Sequence, residues 1–305
     1  MILVMMNVFK SFATFFLCFA FSGFLRAYEV FDCKGRKFEF SAPPKAVSIS
    51  PAVSETICAV GAGGSLLGVS KFCKYPKSLS STESGKAIRE ELSKKEVVGG
   101  FVDADFEKIL DLKPDIVVLH DVSADFLMKK FESLGIRVFL VYADGLENIA
   151  KNAEIIGSLF GKGKEGFALA EKIRLETADK SSFKNRPRAI FLFGNMSAGV
   201  DTYAGRLLQN CGFENVVKNT KAAWAVLPKE YILVSSPQAV VVQSDDESDF
   251  ERKKTELKKS AVWSKTEAVK KGNIFMMPTD LIITPSPRIV YAAEKLRKIR
   301  AEMGD

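Results

Sequence analysis

Apolar residues in the stretch 105–120 change from helical to strand-like spacing, with a proline at the point of change. Those in 106–112 recur every three or four residues, as on one face of an amphipathic helix. Pro114 cannot continue a helix and keeps the residue before it out of the right-handed helical region. The unbroken apolar run 116–119 then predicts a strand that is buried on both faces, as in a parallel sheet. The strand ends at His120, the single histidine of the chain.

The same unit returns in the second half of the chain, over 229–243. Glu107 and Pro114 have the spacing of Glu230 and Pro237, and an apolar run follows each proline. The separation is far longer than the period of about 20–50 residues found in solenoid repeats. The repeat therefore predicts two similar α/β lobes. In open α/β sheets, ligands bind beyond the carboxyl ends of the strands, so we expect the site at that end of each lobe.

A long and mostly polar helix is predicted between the lobes, over 163–184, with Pro187 after its end. A helix with a modest apolar stripe is suited to bridging domains. The predicted fold class is therefore α/β, with two Rossmann-like lobes joined by one long helix. The predicted divisions are an N-terminal lobe at 28–162, a linking helix at 163–186 and a C-terminal lobe at 187–305.

Local patterns predict three further features. Alternation on either side of Lys34-Gly35 predicts a hairpin over 30–40. Ser54 is the expected N-cap of a helix that Gly61 ends. The stretch 280–287 is expected to form a loop.

The chain has 305 residues, which is enough for two domains of ordinary size. Its formal net charge is +7, and the lysines are interspersed with acids. No basic block is interleaved with aromatic residues, so we expect no nucleic-acid partner.

Residues 1–27 are typical of an export signal. Lys10 supplies the positive start, an apolar run follows over 11–25, and Ala27 offers a cleavage position. The alternative is a retained membrane anchor, for which the run is short, since a span needs about 20 residues. We expect an exported protein, in the periplasm or at the outer face of the cytoplasmic membrane.

Four cysteines follow the predicted signal, namely Cys33, Cys58, Cys73 and Cys211. An oxidising compartment permits a disulfide, but no pair has CxxC spacing and the sequence cannot assign partners. Cys58 and Cys211 lie on apolar helical faces, which favours buried free thiols there.

Several segments, in order and spacing, resemble the substrate-binding proteins of ABC importers for metal chelates such as vitamin B12, ferric siderophores and haem. They include 44–51, 66–70, 98–101, 112–115, 134–136, 212–215 and 286–288, together with Glu55, Trp224 and Glu230. The cobalamin-binding members of the family are the most similar. The resemblance implies a class III periplasmic binding protein, in which one long rigid helix joins two α/β lobes. It also implies that the ligand is held in the cleft between the lobes and that hinge motion is small.

The resemblance also implies that one exposed acid on each lobe docks onto arginines of the transporter's membrane subunits. Here these acids are Glu107 and Glu230. Carboxylates set apart on two lobes can match two arginine sites through charge-assisted hydrogen bonds. The alternative is that each is an ordinary solvated helix residue.

Six residues match the family's cleft positions and are the candidate ligand-binding residues: Phe72, Phe101, His120, Met196, Trp224 and Asp280. Flat macrocycles such as corrin or haem bury well against aromatic rings. Core packing is the alternative for each ring, and it is strongest for Phe101. A catecholate siderophore is highly anionic and needs a cluster of basic residues, of which Lys71 and Lys74 are the nearby ones.

His120 has two interpretations. A lone histidine is usually structural and cannot form a zinc site by itself. Imidazole is also a good axial ligand for haem iron or cobalt. The family's cobalamin-binding member has an aromatic residue here, so the histidine favours haem, and Leu281 and Thr284 also depart from that protein.

An exported enzyme is the competing hypothesis, but the sequence has neither GxSxG nor HExxH. Asp103 and Asp105 offer a carboxylate pair, although adjacent loop acids are more often solvated. A structural or adhesin-like protein is a third possibility. The sequence favours a monomeric, non-enzymatic binding protein that needs no catalytic cofactor. It carries a corrinoid, haem or, as the alternative, a ferric siderophore to the permease of an ABC importer.

Overall fold

The two strands predicted from the repeat lie inside separate sheets, one in each lobe of an α/β molecule. The computed structural model describes residues 27–76, 79, 82–121, 124–180, 183–218, 220 and 222–304. Residues 1–26, and with them almost all of the predicted export signal, lie outside the described residues. In the part of the chain that is described, no helix is long and apolar enough to cross a membrane.

Strands and helices alternate along the chain, as expected for sheets built from βαβ units. The strands are β1 (Tyr28–Phe31), β2 (Lys37–Phe40), β3 (Ala46–Ser48), β4 (Leu66–Val69), β5 (Glu96–Val97), β6 (Ile116–His120), β7 (Val138–Val141), β8 (Arg188–Phe193), β9 (Met196–Ala198), β10 (Glu214–Asn215), β11 (Trp224–Ala225), β12 (Ala239–Ser244) and β13 (Ile274–Pro278). The helices are α1 (Pro51–Ala59), α2 (Glu83–Ser93), α3 (Phe106–Asp111), α4 (Ala124–Ser133), α5 (Leu146–Leu159), α6 (Gly163–Thr177), α7 (Tyr203–Asn210), α8 (Lys229–Ser235), α9 (Glu247–Lys259), α10 (Glu267–Lys271), α11 (Thr279–Ile282) and α12 (Ile289–Glu302).

The N-terminal lobe is built on a parallel sheet with the strand order β5-β4-β3-β6-β7. The apolar run 116–119 forms β6 and is buried along its whole length, as the sequence predicts for a strand covered on both faces. The predicted hairpin is present as β1 and β2, and Gly35 has the positive φ of 75° that its turn requires.

The C-terminal lobe repeats the centre of this arrangement. Strands β8, β12 and β13 are parallel neighbours, as β3, β6 and β7 are in the first lobe. Strand β10 pairs in parallel with the start of β8, whereas β9 turns back antiparallel to its end and β11 extends that edge. The predicted fold class, α/β with two similar lobes, is confirmed.

The residue before the repeated proline has the same unusual backbone conformation in both lobes. Lys113 precedes Pro114 with φ of 48°, and Ser236 precedes Pro237 with φ of 42°. In the described part of the chain, these are the non-glycine residues with positive φ. The proline disfavours the right-handed helical region for the residue before it, and both helices end at this point, before the next strand.

Two helices, α5 and α6, form an antiparallel hairpin that packs against both lobes. Gly157 of α5 approaches Gly166 of α6 so closely that a Cβ on Gly157 would lie 2.7 Å from the Cα of Gly166. The start of α5, through Leu146 and Ile149, joins the core of the C-terminal lobe, whereas Leu159 at its end joins that of the N-terminal lobe. The connection therefore consists of two short helices side by side.

The helix predicted over 163–184 is shorter than expected, because α6 ends at Thr177 and Ala178 is already extended. Ala178, Asp179 and Lys180 are all exposed, so no apolar stripe holds a further turn against a core. The predicted division of the chain at 162 and 186 stays a prediction.

Two local predictions were wrong. Ser54 is not an N-cap, since α1 begins at Pro51 with Ser50 as its cap, and proline at the first position is a common helix start. The Ser54 hydroxyl instead donates to the Ser50 carbonyl over 3.1 Å within the helix. The stretch 280–287 is not all loop, because its first residues belong to α11.

Cys33, Cys58, Cys73 and Cys211 are free thiols in the structure. Cys211 is buried as predicted, while Cys58 is half-buried. Burial raises the pKa of Cys58 and of Cys211 to about 12, so both remain protonated at neutral pH. Protonated thiols are poor nucleophiles, which fits a packing role for these two residues.

Candidate ligand-binding cleft

Phe72 and Phe101 lie on neighbouring loops beyond the ends of β4 and β5. The Lys71 amide donates to the Gly99 carbonyl over 2.8 Å and joins the two loops. A Cβ on Gly100 would lie 2.9 Å from the Phe72 ring, so the glycine permits this close approach. Phe72 is 62% exposed and Phe101 44% exposed, which places both rings at the surface rather than in the core.

His120 lies at the carboxyl end of β6, half-buried beside α1. Its Nδ1 lies 3.4 Å from the hydroxyl oxygen of Ser50. Its Nε2 is buried and has no hydrogen-bond partner among the described residues. Burial lowers the pKa of His120 to about 4, and the nearby Asp121 carboxylate opposes this only in part. The imidazole is therefore neutral at physiological pH.

Trp224 bridges from the C-terminal lobe to the loop after β7. Its indole Nε1 donates to Oδ2 of Asp144 over 3.1 Å, and its ring packs edge-on against Phe193 at 4.9 Å between centroids. The other carboxylate oxygen of Asp144 accepts from the backbone amide of Tyr203 over 2.9 Å. Asp144 thus ties the two lobes together, and the half-buried Trp224 is held in a fixed orientation.

Met196 and Asp280 follow the carboxyl ends of β8 and β13 in the C-terminal lobe. Met196 is 41% exposed and follows the turn after β8. Asp280 is exposed in the first turn of α11. It faces the loop after β4 across a cavity of about 480 Å³ that Lys74 and Tyr75 also line.

A buried ion pair joins the lobes next to Asp280, and the sequence did not predict it. Oε2 of Glu55 on α1 accepts from the Ser286 hydroxyl over 2.7 Å, and Oε1 accepts from Arg288. Arg288 also donates to the Asp280 carbonyl over 2.6 Å. Glu55 and Arg288 are almost completely buried. Burial raises the pKa of Glu55, while the guanidinium of Arg288 opposes this and favours the ionised form.

A signal for this pair exists in the sequence. Glu55 interrupts the apolar face of α1, where a charge needs a buried partner. Its partner lies more than 200 residues away, so sequence spacing cannot identify Arg288. Asp144, which forms the second link between the lobes, follows β7, and no sequence motif marks it.

Glu107 and Glu230 occupy equivalent places in the two lobes. Each is exposed in the first turn of the helix that leads to the repeated strand. Within the described residues, neither carboxylate forms an ion pair, in contrast to the neighbouring Lys108, which pairs with Glu96 at 2.9 Å.

The carboxylate pair considered for catalysis has structural partners. Asp103 forms an ion pair with Lys71, which lowers the pKa of its carboxyl group. Asp105 caps α3 by accepting from the Lys108 amide over 3.0 Å. The lowered pKa of Asp103 is the opposite of the raised pKa that a general acid needs.

The family model for periplasmic binding proteins matches residues 47–281. The chain belongs to the periplasmic binding protein family. The match covers both sheets and the helical hairpin between them, and the family consists of binding proteins.

Curated relatives span nearly the same length as this binding protein. It is 27% identical over 269 residues to the uncharacterized ABC transporter substrate-binding lipoprotein YvrC of Bacillus subtilis, covering 83% of this chain and 79% of the relative. It is 27% identical over 267 residues to the vitamin B12-binding protein of Salmonella choleraesuis, covering 84% of this chain and 89% of the relative.

Solved structures share the fold. The periplasmic vitamin B12-binding protein BtuF of Vibrio cholerae superposes with a TM-score of 0.68 at 19% identity, covering 86% of this chain and 99% of that chain. The periplasmic haem-binding protein HutB of Vibrio cholerae gives a TM-score of 0.68 at 19% identity, covering 84% and 98%. The class III architecture predicted from the sequence is confirmed.

Proposed function

We propose that this periplasmic binding protein captures a metal chelate, a cobalamin-like corrinoid or haem, outside the cytoplasm and delivers it to the permease of an ABC importer. It acts as a monomer, catalyses no reaction and carries the chelate as cargo. The observation that supports this proposal most is the family match over both lobes, combined with relatives named for vitamin B12 binding and for ABC transport.

The exposed aromatic residues at the strand ends support a flat, largely apolar ligand. Phe72 and Phe101 are exposed on neighbouring loops, where ordinary core packing would bury their rings. A corrin or porphyrin face buries a large apolar area against such rings. Met196 adds an adaptable apolar surface from the other lobe.

The polar groups of the cleft suit the periphery of such a ligand. Asp280 is exposed at the cleft edge, and Arg288 fixes its backbone. The ring of Trp224 is half-buried, and its N–H already donates to Asp144. Hydrogen bonds from a few fixed groups orient a ligand within an otherwise apolar site.

His120 favours haem as the second candidate within this class. Its imidazole is neutral and its Nε2 has no protein partner among the described residues, which are two requirements for an axial ligand. Nε2 is nevertheless buried, so ligation of a metal requires the ring to turn toward the cleft. Cobalamin requires no such movement.

A ferric siderophore fits less well. Lys71, one of the two basic residues near the aromatic loops, is already paired with Asp103. A highly anionic chelate needs several free cations in the site. The exported enzyme is also less well supported, since Asp103 and Asp105 have structural partners.

Optical titration of the purified protein with haemin and with cyanocobalamin, alongside His120→Ala, tests the proposal. A saturable haem spectrum that is lost in the variant identifies a haem carrier with His120 as ligand. Saturable cobalamin binding that is equal in both proteins identifies a corrinoid carrier and leaves His120 a packing role. Binding of neither chelate contradicts the proposal and makes siderophores the next ligands to test.

A further inference from the structure

The helices that carry Glu107 and Glu230 repeat a four-residue motif with the same pattern of burial. The motif is Glu-X-Ile-Leu, at 107–110 in α3 and at 230–233 in α8. The isoleucine is buried in both lobes, whereas the acid is exposed in both. Leu110 is 39% exposed and Leu233 42% exposed. The leucine follows the acid by three residues, so both lie on one face of the helix.

An exposed leucine is common on a protein surface and needs no explanation by itself. Here the same apolar side chain recurs at the same point of two lobes, beside an acid that forms no ion pair with the described residues. Neither leucine contributes to the cores beneath, where the isoleucine of each motif is the buried residue. The repetition therefore indicates a shared external contact.

The apolar surface is larger on the C-terminal lobe. Val234 is 86% exposed and lies directly after Leu233. A groove of about 790 Å³, lined in part by Val216, Tyr231 and Val234, runs beside α8 with Glu230 at its rim. Tyr231 fixes one wall, because its hydroxyl donates to the Val216 carbonyl over 2.6 Å. A partner meets a preformed apolar groove next to an acid.

We propose that Leu110 and Leu233 form the apolar half of the surface by which this protein docks onto its permease. The proposal rests on the proposed function. The permease then carries two matching sites. Each site has a basic side chain that pairs with the acid and, nearby, an apolar side chain that packs on the leucine. In the C-terminal lobe, the groove beside α8 offers a further apolar contact through Val234. The exposed acids make anionic headgroups and nucleic acid poor partners and favour a basic protein surface.

Co-sedimentation with right-side-out cytoplasmic-membrane vesicles from the organism that encodes the chain tests the proposal. Each of Leu110→Ser and Leu233→Ser should weaken binding about three- to tenfold, and the double variant by roughly the product, since each removes a partly exposed leucine from the contact. Leu175→Ser is the matched control, because Leu175 is 68% exposed on α6 and lies outside both motifs, so its binding should not change.

Two further measurements separate this proposal from the proposed function. Chelate titration of the leucine variants should match that of the wild-type protein. The variant Glu107→Lys/Glu230→Lys should lose vesicle binding while keeping its chelate affinity. If the acid variant loses binding but the leucine variants do not, the apolar contact is disproved and the proposed function stands. If the wild-type protein binds neither chelate nor vesicles, both are disproved.

Discussion

Lys113 and Ser236 adopt a left-handed backbone conformation that costs non-glycine residues about 1–2 kcal/mol. The same cost appears at the same point in both lobes, before a proline that disfavours the right-handed helical region. Each helix stops there and turns directly into the repeated strand, β6 in one lobe and β12 in the other. In the N-terminal lobe, this strand ends at His120.

The burial of His120 makes the stability of the protein depend on pH. Its pKa is about 4 in the folded state and about 6.5 in the unfolded state, so the unfolded state binds the proton first as pH falls. The contribution of His120 to the free energy of unfolding should be constant above about pH 6.5. It should fall by about 3 kcal/mol as the pH approaches 4.

Urea unfolding of wild-type protein and His120→Phe at a series of pH values measures this effect. His120 is the single histidine, so the difference between the two curves isolates it from the carboxylates. Below about pH 6.5, the variant should become progressively more stable relative to the wild-type protein. A difference that does not change with pH would show that the imidazole is exposed enough to protonate in the folded state.

At the residue scale, the sequence predicts where a side chain lies in its helix better than it predicts which distant residue that side chain contacts. It places Glu107 and Glu230 correctly at equivalent exposed positions, because local spacing determines the first turn of a helix. It cannot assign Arg288 to Glu55, since that contact depends on how the two lobes pack. Whether the six predicted ligand residues bind a chelate stays a prediction.

At the element scale, the helical hairpin shows why the linker was predicted as one long helix. Apolar spacing identifies α5 and α6, but it does not tell which core each stripe faces. The start of α5 packs on the C-terminal lobe and its end on the N-terminal lobe. The stiffness of the connection comes from close contact between two helices, and the glycine pair Gly157 and Gly166 permits that contact.

Gly157→Ala should destabilise the protein by about 1–3 kcal/mol, because the added methyl group meets backbone atoms rather than a flexible side chain. The matched control is Gly163→Ala, where a Cβ has no atom within 4 Å and alanine favours the helix. Thermal unfolding of both variants compares them. Equal stability of Gly157→Ala and the wild-type protein would mean that the helices separate easily, in conflict with a stiff connection.

At the scale of the whole molecule, two polar links hold the lobes in addition to the hairpin. Asp144 accepts hydrogen bonds from Trp224 and from the Tyr203 amide, and Glu55 pairs with Arg288. The second link also fixes Asp280, through its backbone carbonyl. The relative placement of the lobes and one edge of the cleft therefore depend on the same buried ion pair.

Removing one partner of this ion pair should destabilise the protein far more than removing both partners. Glu55→Met leaves Arg288 buried without its counter-ion, which should reduce the free energy of unfolding by about 3–5 kcal/mol. The double variant Glu55→Met/Arg288→Met removes both charges and fills the space with flexible apolar side chains, so it should recover most of that loss. Urea unfolding of both single variants and the double variant forms the thermodynamic cycle.

The same double variant separates stability from positioning. Ser286 and the Asp280 carbonyl lose their partners, so α11 should shift even where the fold is restored. Chelate affinity should then remain below that of the wild-type protein although the free energy of unfolding recovers. Full recovery of both quantities would assign the pair no role in shaping the cleft. Recovery of stability alone would identify Glu55 and Arg288 as the residues that set the cleft edge.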